Sequence, residues 1–271
     1  MEAKSEFENN GFVVIKNIID KNQIDKCVNI LNDLYTYTKN NFQDPFLDWS
    51  LPHRSDQGVF FDVYQRHPEF RGLLSEEVTE QLAEIIGDNF FLYDNTVVFK
   101  PGKSKNDVPW HQDFISRETE PNKVVIWVPL QDVNEENGTL RFFPGSHRNG
   151  RKKWHRIPGE THHDRIIQSE IEELMKDEQP IYANMKKGDL LVFHNLVVHG
   201  SKKTDSLDKR YVFRCSFQSC EEAIFTPRQS PIVIKGCNPK FLMSNYNQPK
   251  KKEKAKILQL INKVGLKLSR L

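Results

Sequence analysis

Cysteine is scarce in this chain: Cys27, Cys215, Cys220 and Cys237 are the only four in 271 residues. None forms a CxxC pair, which excludes a zinc ribbon, and four in a chain of this length do not make a disulfide scaffold. Free thiols are the expectation. Long apolar runs are absent too. No stretch approaches the roughly 18 residues needed to cross a bilayer, and the opening MEAKSEFENNGF has no apolar core that could act as a secretory signal. A soluble, cytoplasmic protein without a membrane span is expected. There is also no excess of one charge, the formal net being +2. From Lys250 to Leu271 there are eight Lys/Arg against one Glu, which leaves 31 basic and 36 acidic residues, a net of −5, in residues 1–249. A mildly acidic body offers no field suited to a nucleic-acid groove.

What is present is an ordinary globular composition, 37% hydrophobic and 28% charged, in a length that one all-β barrel or sandwich commonly reaches. Gly11-Phe-Val-Val-Ile-Lys reads as a short strand. Lys21 to Tyr37 carries Ile24, Val28, Ile30, Leu31 and Leu34 close to helical spacing. Asp44 to Gly58 has neither period and reads as a loop rich in Pro, Asp, Ser and aromatics. Two helical patterns follow, around Val63 to Leu74 and Glu76 to Ile86, the second stopping at Gly87.

From Asn89 the texture turns to short β-type runs: Phe90 to Tyr93, Thr96 to Phe99, Trp110 to Phe114, Val124 to Leu130 and Thr139 to Phe143, with the turn pair Asn137-Gly138 before the last. The runs resume at Ile181 to Ala183, Leu190 to His194 and Arg210 to Phe217. Such a series predicts a sandwich or jelly roll. A charged segment, about 151–179, interrupts it as a helical insertion. The chain therefore reads as one catalytic domain, 1–249, followed by a basic amphipathic helix, 250–271, packed on it through Ile257, Ile261, Val264, Leu268 and Leu271.

In a strand, side chains at i and i+2 share a face, so His111 and Asp113 would present an imidazole and a carboxylate side by side. His199, in Leu196-Val-Val-His-Gly-Ser, supplies a third ligand. Two His and one carboxylate on one face of an iron(II) leave three positions open, enough for a chelating keto acid and O2. The far carboxylate of such a co-substrate calls for Arg, whose planar fork binds bidentately. Arg210, eleven residues after His199, is well placed, and Arg214 on the same face is the fallback. His194 competes with His199 for the metal.

With these residues the sequence resembles the phytanoyl-CoA dioxygenase family, a branch of the iron(II)- and 2-oxoglutarate-dependent oxygenases. The likeness runs through Asn10-Gly-Phe-Val-Val-Ile, Trp110-His-Gln-Asp, Asn137-Gly-Thr-Leu-Arg-Phe-Phe-Pro-Gly-Ser-His147, Gly188-Asp-Leu-Leu-Val-Phe-His and His199-Gly-Ser with Arg210 beyond. It implies a mainly β fold with flanking helices around a double-stranded β-helix, the cupin-like jelly roll. It implies His111, Asp113 and His199 as metal ligands, and Arg210, helped by the Ser201 hydroxyl, on the distal carboxylate of 2-oxoglutarate. It also implies that O2 and 2-oxoglutarate are spent in oxidising a substrate C–H bond, with release of succinate and CO2. Halogenating relatives lack the carboxylate ligand; Asp113 is kept here, which favours hydroxylation or a related oxidation such as desaturation or ring closure.

The expected substrate is a small-molecule metabolite or biosynthetic intermediate. Trp49, His53 and Arg54 are candidate substrate contacts, because relatives line the pocket from this segment. His155, His162 and His163 in the insertion read as solvated surface, Trp127 and Phe142 as barrel core. Two rival functions remain: a zinc hydrolase built on the same triad, which leaves Arg210 unexplained, and a non-catalytic cupin-like binding protein, which has no use for the triad.

Overall fold

The computed structural model describes residues 2–40, 53–54, 59–100, 102, 107–157, 164–204, 206–222 and 232–236. The chain opens with a helix, Glu2–Asn10, that the sequence reading did not foresee. Fourteen strands follow among the described residues: β1 (Phe12–Ile15), β2 (His53–Arg54), β3 (Val59–Phe61), β4 (Phe90–Lys100), β5 (Val108–His111), β6 (Val124–Pro129) and β7 (Arg141–Phe142); then β8 (Trp154–Arg156), β9 (Asp164–Ile166), β10 (Ile181–Tyr182), β11 (Leu190–His194), β12 (His199–Ser201), β13 (Arg210–Ser219) and β14 (Ile232–Lys235).

They form an eight-stranded sheet in the order β1-β11-β6-β13-β4-β3-β2, with β14 also on β4, a four-stranded sheet β10-β7-β12-β5, and the hairpin β8-β9. Every pairing between these strands is antiparallel. The period of two along a strand sorts the large sheet into two faces. Val125, Trp127, Leu191, Phe193 and Val212 cluster with Phe142 of the smaller sheet and with Leu140 and Ala183, which flank its strands β7 and β10. Their neighbours Ile126, Val128, Leu190, Val192 and Phe213 bury against Ile24, Leu31, Val78 and Leu82 of the helices on the other side. Trp127 and Phe142 are thus core, at 4% and 0% exposure. This is the jelly roll with flanking helices that the β-type runs predicted.

Several local outcomes differ from the sequence reading, each for a physical reason. The helical pattern from Val63 splits into Val63–Arg66 and Pro68–Arg71. Pro68 has no N–H to give, and it forces His67 to extended angles, φ −126 and ψ 106. By contrast, Glu76–Ile86 runs as expected, capped by the Ser75 side chain, which accepts from the Val78 N–H. The two runs expected at 90–93 and 96–99 fuse into the eleven-residue β4. Asn95, buried at its middle, is satisfied there by the Tyr64 N–H at 2.8 Å and the Gln65 side chain at 2.7 Å.

The expected insertion holds the β8-β9 hairpin as well as a helix, Gln168–Asp177. Cys27 and Cys215 are free and buried, but Cys220 is disulfide-bonded, which corrects the expectation of four free thiols. No helix among the described residues is long and apolar enough to cross a membrane. The predicted C-terminal helix, 250–271, lies outside the described residues.

Candidate metal centre and anion pocket

His111 ends β5, His199 opens β12, and the two are register partners across the smaller sheet, their ring centroids 4.2 Å apart. Each ring has its Nδ1 2.9 Å from a backbone carbonyl, Pro109 for His111 and Val197 for His199. A carbonyl only accepts, so both Nδ1 atoms carry the hydrogen and both Nε2 lone pairs are free. They face one oxygen: Asp113 Oδ1 lies 3.5 Å from His111 Nε2 and 3.9 Å from His199 Nε2. One ligand atom from each of the three residues falls within 4.8 Å of the others, a set that could hold a metal ion. Burial, and then the neighbouring His111, lower the His199 pKa to about 3, so its imidazole is neutral, the state a metal ligand needs.

Asp113 is not in the strand. β5 stops at His111, and the carboxylate stands in the turn that follows, so the structure brings the expected pair together but not by the i, i+2 strand alternation. What holds the turn is Gln112, 2% exposed. Its Nε2 donates to the carbonyls of Gly150, at 2.9 Å, and Leu196, at 2.6 Å, and its Oε1 accepts the Lys152 N–H at 2.9 Å. The backbone then takes a left-handed step at Phe114, φ 56, whose ring packs edge-on against Tyr93. Asp113 Oδ2 accepts from Arg214 Nη2 at 2.8 Å. Burial alone would raise the Asp113 pKa; the Arg214 guanidinium, with the two histidines, holds it well below the usual carboxylate range.

The second feature is a pair of buried cations at the far end of the β4-β13 ladder, where Lys100 and Arg210 are register partners. Arg210 is 3% exposed. Its Nη1 donates to the Gly138 carbonyl, its guanidinium lies 5.3 Å from the Trp127 ring centre, and its buried Nε has no partner. Lys100 Nζ donates to Ser201 Oγ at 2.9 Å and to the Lys202 carbonyl at 2.6 Å. Neither cation has a carboxylate within 4 Å among the described residues. Burial brings Arg210 down to about 10, while burial and the nearby Arg210 bring Lys100 to about 7. Two buried cations with an orphaned N–H are costly unless an anion joins them, and an anionic co-substrate fits the pocket.

Sequence reasoning missed Lys100, because a lysine closing a β-type run carries no signal until register pairs it with Arg210. It also missed the hold of Arg214 on Asp113. His194 stands apart from the cluster of three: its Nδ1 accepts the Leu196 N–H at 3.0 Å and it packs on His147, and burial lowers its pKa to about 4. His155 is exposed on β8. Of the expected substrate contacts, His53 and Arg54 form β2 against β3, while Trp49 lies outside the described residues, as do His162 and His163.

A jelly roll that gathers two imidazoles and a carboxylate beside a buried cationic pocket belongs to the non-haem iron(II)- and 2-oxoglutarate-dependent oxygenases. The sequence profile described as "Phytanoyl-CoA dioxygenase (PhyH)" matches residues 7–212, and the chain belongs to that family. The peroxisomal phytanoyl-CoA dioxygenase of Bos taurus is 24% identical over 238 residues, 80% of this chain and 68% of that protein. Among solved structures, the apo form of the non-heme monooxygenase ThoJ matches with a TM-score of 0.69 at 13% identity, covering 95% of this chain and 99% of the other. EctD from S. alaskensis with 2-oxoglutarate and 5-hydroxyectoine matches with a TM-score of 0.65 at 16% identity over 88% and 84%. At those identities the structural likeness speaks for the fold.

Proposed function

We propose that this chain hydroxylates, or otherwise oxidises at a C–H bond, a small-molecule metabolite or biosynthetic intermediate, converting 2-oxoglutarate and O2 to succinate and CO2. In this reading His111, Asp113 and His199 hold iron(II), and Arg210, Lys100 and Ser201 hold the distal carboxylate of 2-oxoglutarate. The observation that carries it is a three-residue metal cluster near two buried cations on the other sheet, one of which, Lys100, donates to Ser201, two residues after His199. A metal site alone suits a hydrolase equally well; the orphaned Arg210 Nε calls for an acid.

The iron centre, when bound, supplies the activation of O2 that no side chain here can perform. The protein's own residues do the rest. The Pro109 and Val197 carbonyls fix both imidazoles in the ligating tautomer. Lys100 and Arg210 set the end at which the dicarboxylate docks, and the apolar walls of Trp127, Phe142 and Phe193 keep water from the space between the sheets.

The test is to add iron(II) and 2-oxoglutarate without oxygen and look for a visible charge-transfer band, then to measure substrate-dependent succinate over a panel of acyl-CoA thioesters, amino acids, terpenoids and phosphonates. A band with succinate release on one of these classes is expected. No band, with zinc-dependent hydrolysis in its place, would overturn the reading.

A further inference from the structure

Asp113 offers two oxygens, and the structure gives them different neighbours. Oδ1 faces His111 Nε2 at 3.5 Å and His199 Nε2 at 3.9 Å. Oδ2 is taken by Arg214 Nη2 at 2.8 Å. Arg214 is itself braced: its Nη1 lies 3.3 Å from Asp94 Oδ1, and its guanidinium carbon is 5.7 Å from the centre of the Phe114 ring, the residue after Asp113. Arg214 and Asp113 are largely shielded, at 17% and 14% side-chain exposure, whereas Asp94 is at 37%. The pair is therefore poorly screened at the end nearest the histidines and hydrated at the Asp94 end.

We infer that Arg214, braced by Asp94, is a positioning residue that holds Asp113 as a one-oxygen ligand, and so keeps open the coordination position its second oxygen would otherwise take. The inference rests on the iron and 2-oxoglutarate reading above. A carboxylate can bind a metal through one oxygen or both. With His111 and His199 in place, one-oxygen binding leaves three positions, two for the keto acid and one for O2; two-oxygen binding leaves only two. The chain's own chemistry favours the first, because the charged hydrogen bond at Oδ2 draws on that oxygen's electrons and fixes its orientation. The sequence reading had offered Arg214 as a fallback anchor for the co-substrate. The geometry gives it a separate task, since both of its Nη groups are occupied by aspartates.

This assignment separates two affinities that general damage to the site would move together. Removing a cation beside the metal makes the site more negative by one unit, so Arg214→Ala binds iron(II) at least as tightly as the parent. The same change releases Oδ2 to compete with the keto acid, so 2-oxoglutarate binds the iron-loaded variant about tenfold more weakly, the low end of what loss of an outer partner costs. Arg214→Lys, which keeps one charged donor, recovers part of that loss. Asp94→Asn gives a smaller loss alone and none when added to Arg214→Ala, because it acts through Arg214.

The experiment is an anaerobic titration of the metal-free protein and each variant with iron(II) and then with 2-oxoglutarate, reading the iron dissociation constant by chelator competition and the 2-oxoglutarate constant by the charge-transfer band. Parental 2-oxoglutarate affinity in Arg214→Ala, or parallel loss of both affinities, overturns the inference. Should Arg214→Ala not fold, Asp94→Asn decides: unchanged 2-oxoglutarate affinity overturns the brace and the role built on it. A parent protein with no band overturns the iron and 2-oxoglutarate reading, and this inference with it; a parent with a band and indifferent variants overturns the inference alone.

Discussion

Lys100 is a lysine in an unusual place, 6% exposed and hydrogen-bonded to neutral oxygens only. Burial and then Arg210 lower its pKa from 10.5 to about 7. Between those values the unfolded chain binds more protons than the folded one, so the group's contribution to stability rises as pH climbs from 7 towards 10.5. A carboxylate docked beside it reverses this preference and draws the proton back. Binding of 2-oxoglutarate to the iron-loaded protein is then expected to take up a proton and to weaken as pH rises above 7. Lys100→Met should abolish that slope in a calorimetric pH series, and a slope that survives the substitution would show that another group titrates. Arg210→Ala should weaken 2-oxoglutarate on the order of 100-fold, the scale of an emptied buried charge pair and well beyond the effect of Arg214→Ala. The cluster His111, Asp113 and His199 was legible because each residue sits in a short motif, whereas Arg210 was singled out only by its spacing from His199 and is found buried beside Lys100. Lys100 was not legible, since its role exists only through its strand partner.

At the level of elements, the turn after β5 illustrates what a linear reading can and cannot supply. Strand alternation predicted that His111 and Asp113 share a face; in the structure Asp113 lies past the strand's end, and a different device aims it. Gln112, to which the sequence reading gave no chemistry, ties three backbone groups on two other segments to this turn. Gln112→Ala leaves two carbonyls and one N–H without a buried partner, which should cost about 2–4 kcal/mol of stability. Urea denaturation measures this, and a loss below about 1 kcal/mol would mean that water replaces the amide without penalty. Elements set by their own composition were readable: Glu76–Ile86 has its cap, its apolar face and its glycine stop within thirteen residues. Elements set by distant partners were not, and the fusion of β4 through Asn95 depends on Tyr64 and Gln65, thirty residues earlier.

For the whole molecule, the layout of two sheets with helices outside one of them followed from the series of β-type runs between helical patterns. Strand order and register did not, because pairings such as Phe12 with Phe193 and Arg210 with Lys100 join residues far apart in the chain. Register matters here beyond architecture. Arg210 and Arg214 stand on one face of β13, four residues apart, and are locked to β4 by consecutive pairings, Arg210 with Lys100 and Arg214 with Thr96. A strand rises about 3.3 Å per residue, so the backbone fixes their separation at roughly 13 Å. On the reading proposed above, Arg214 sets the metal's carboxylate and Arg210 the far end of the co-substrate, and β13 relates the two positions through its backbone. On that reading a diacid one methylene longer fits the two anchors less well, and 2-oxoadipate should be decarboxylated more slowly than 2-oxoglutarate in a CO2-release assay. Equal rates would mean that the spacing is slack. A hydrogen-bonded ladder cannot stretch as a side chain can, so on the reading proposed above the sheet that builds the core would also bear on which keto acid is admitted.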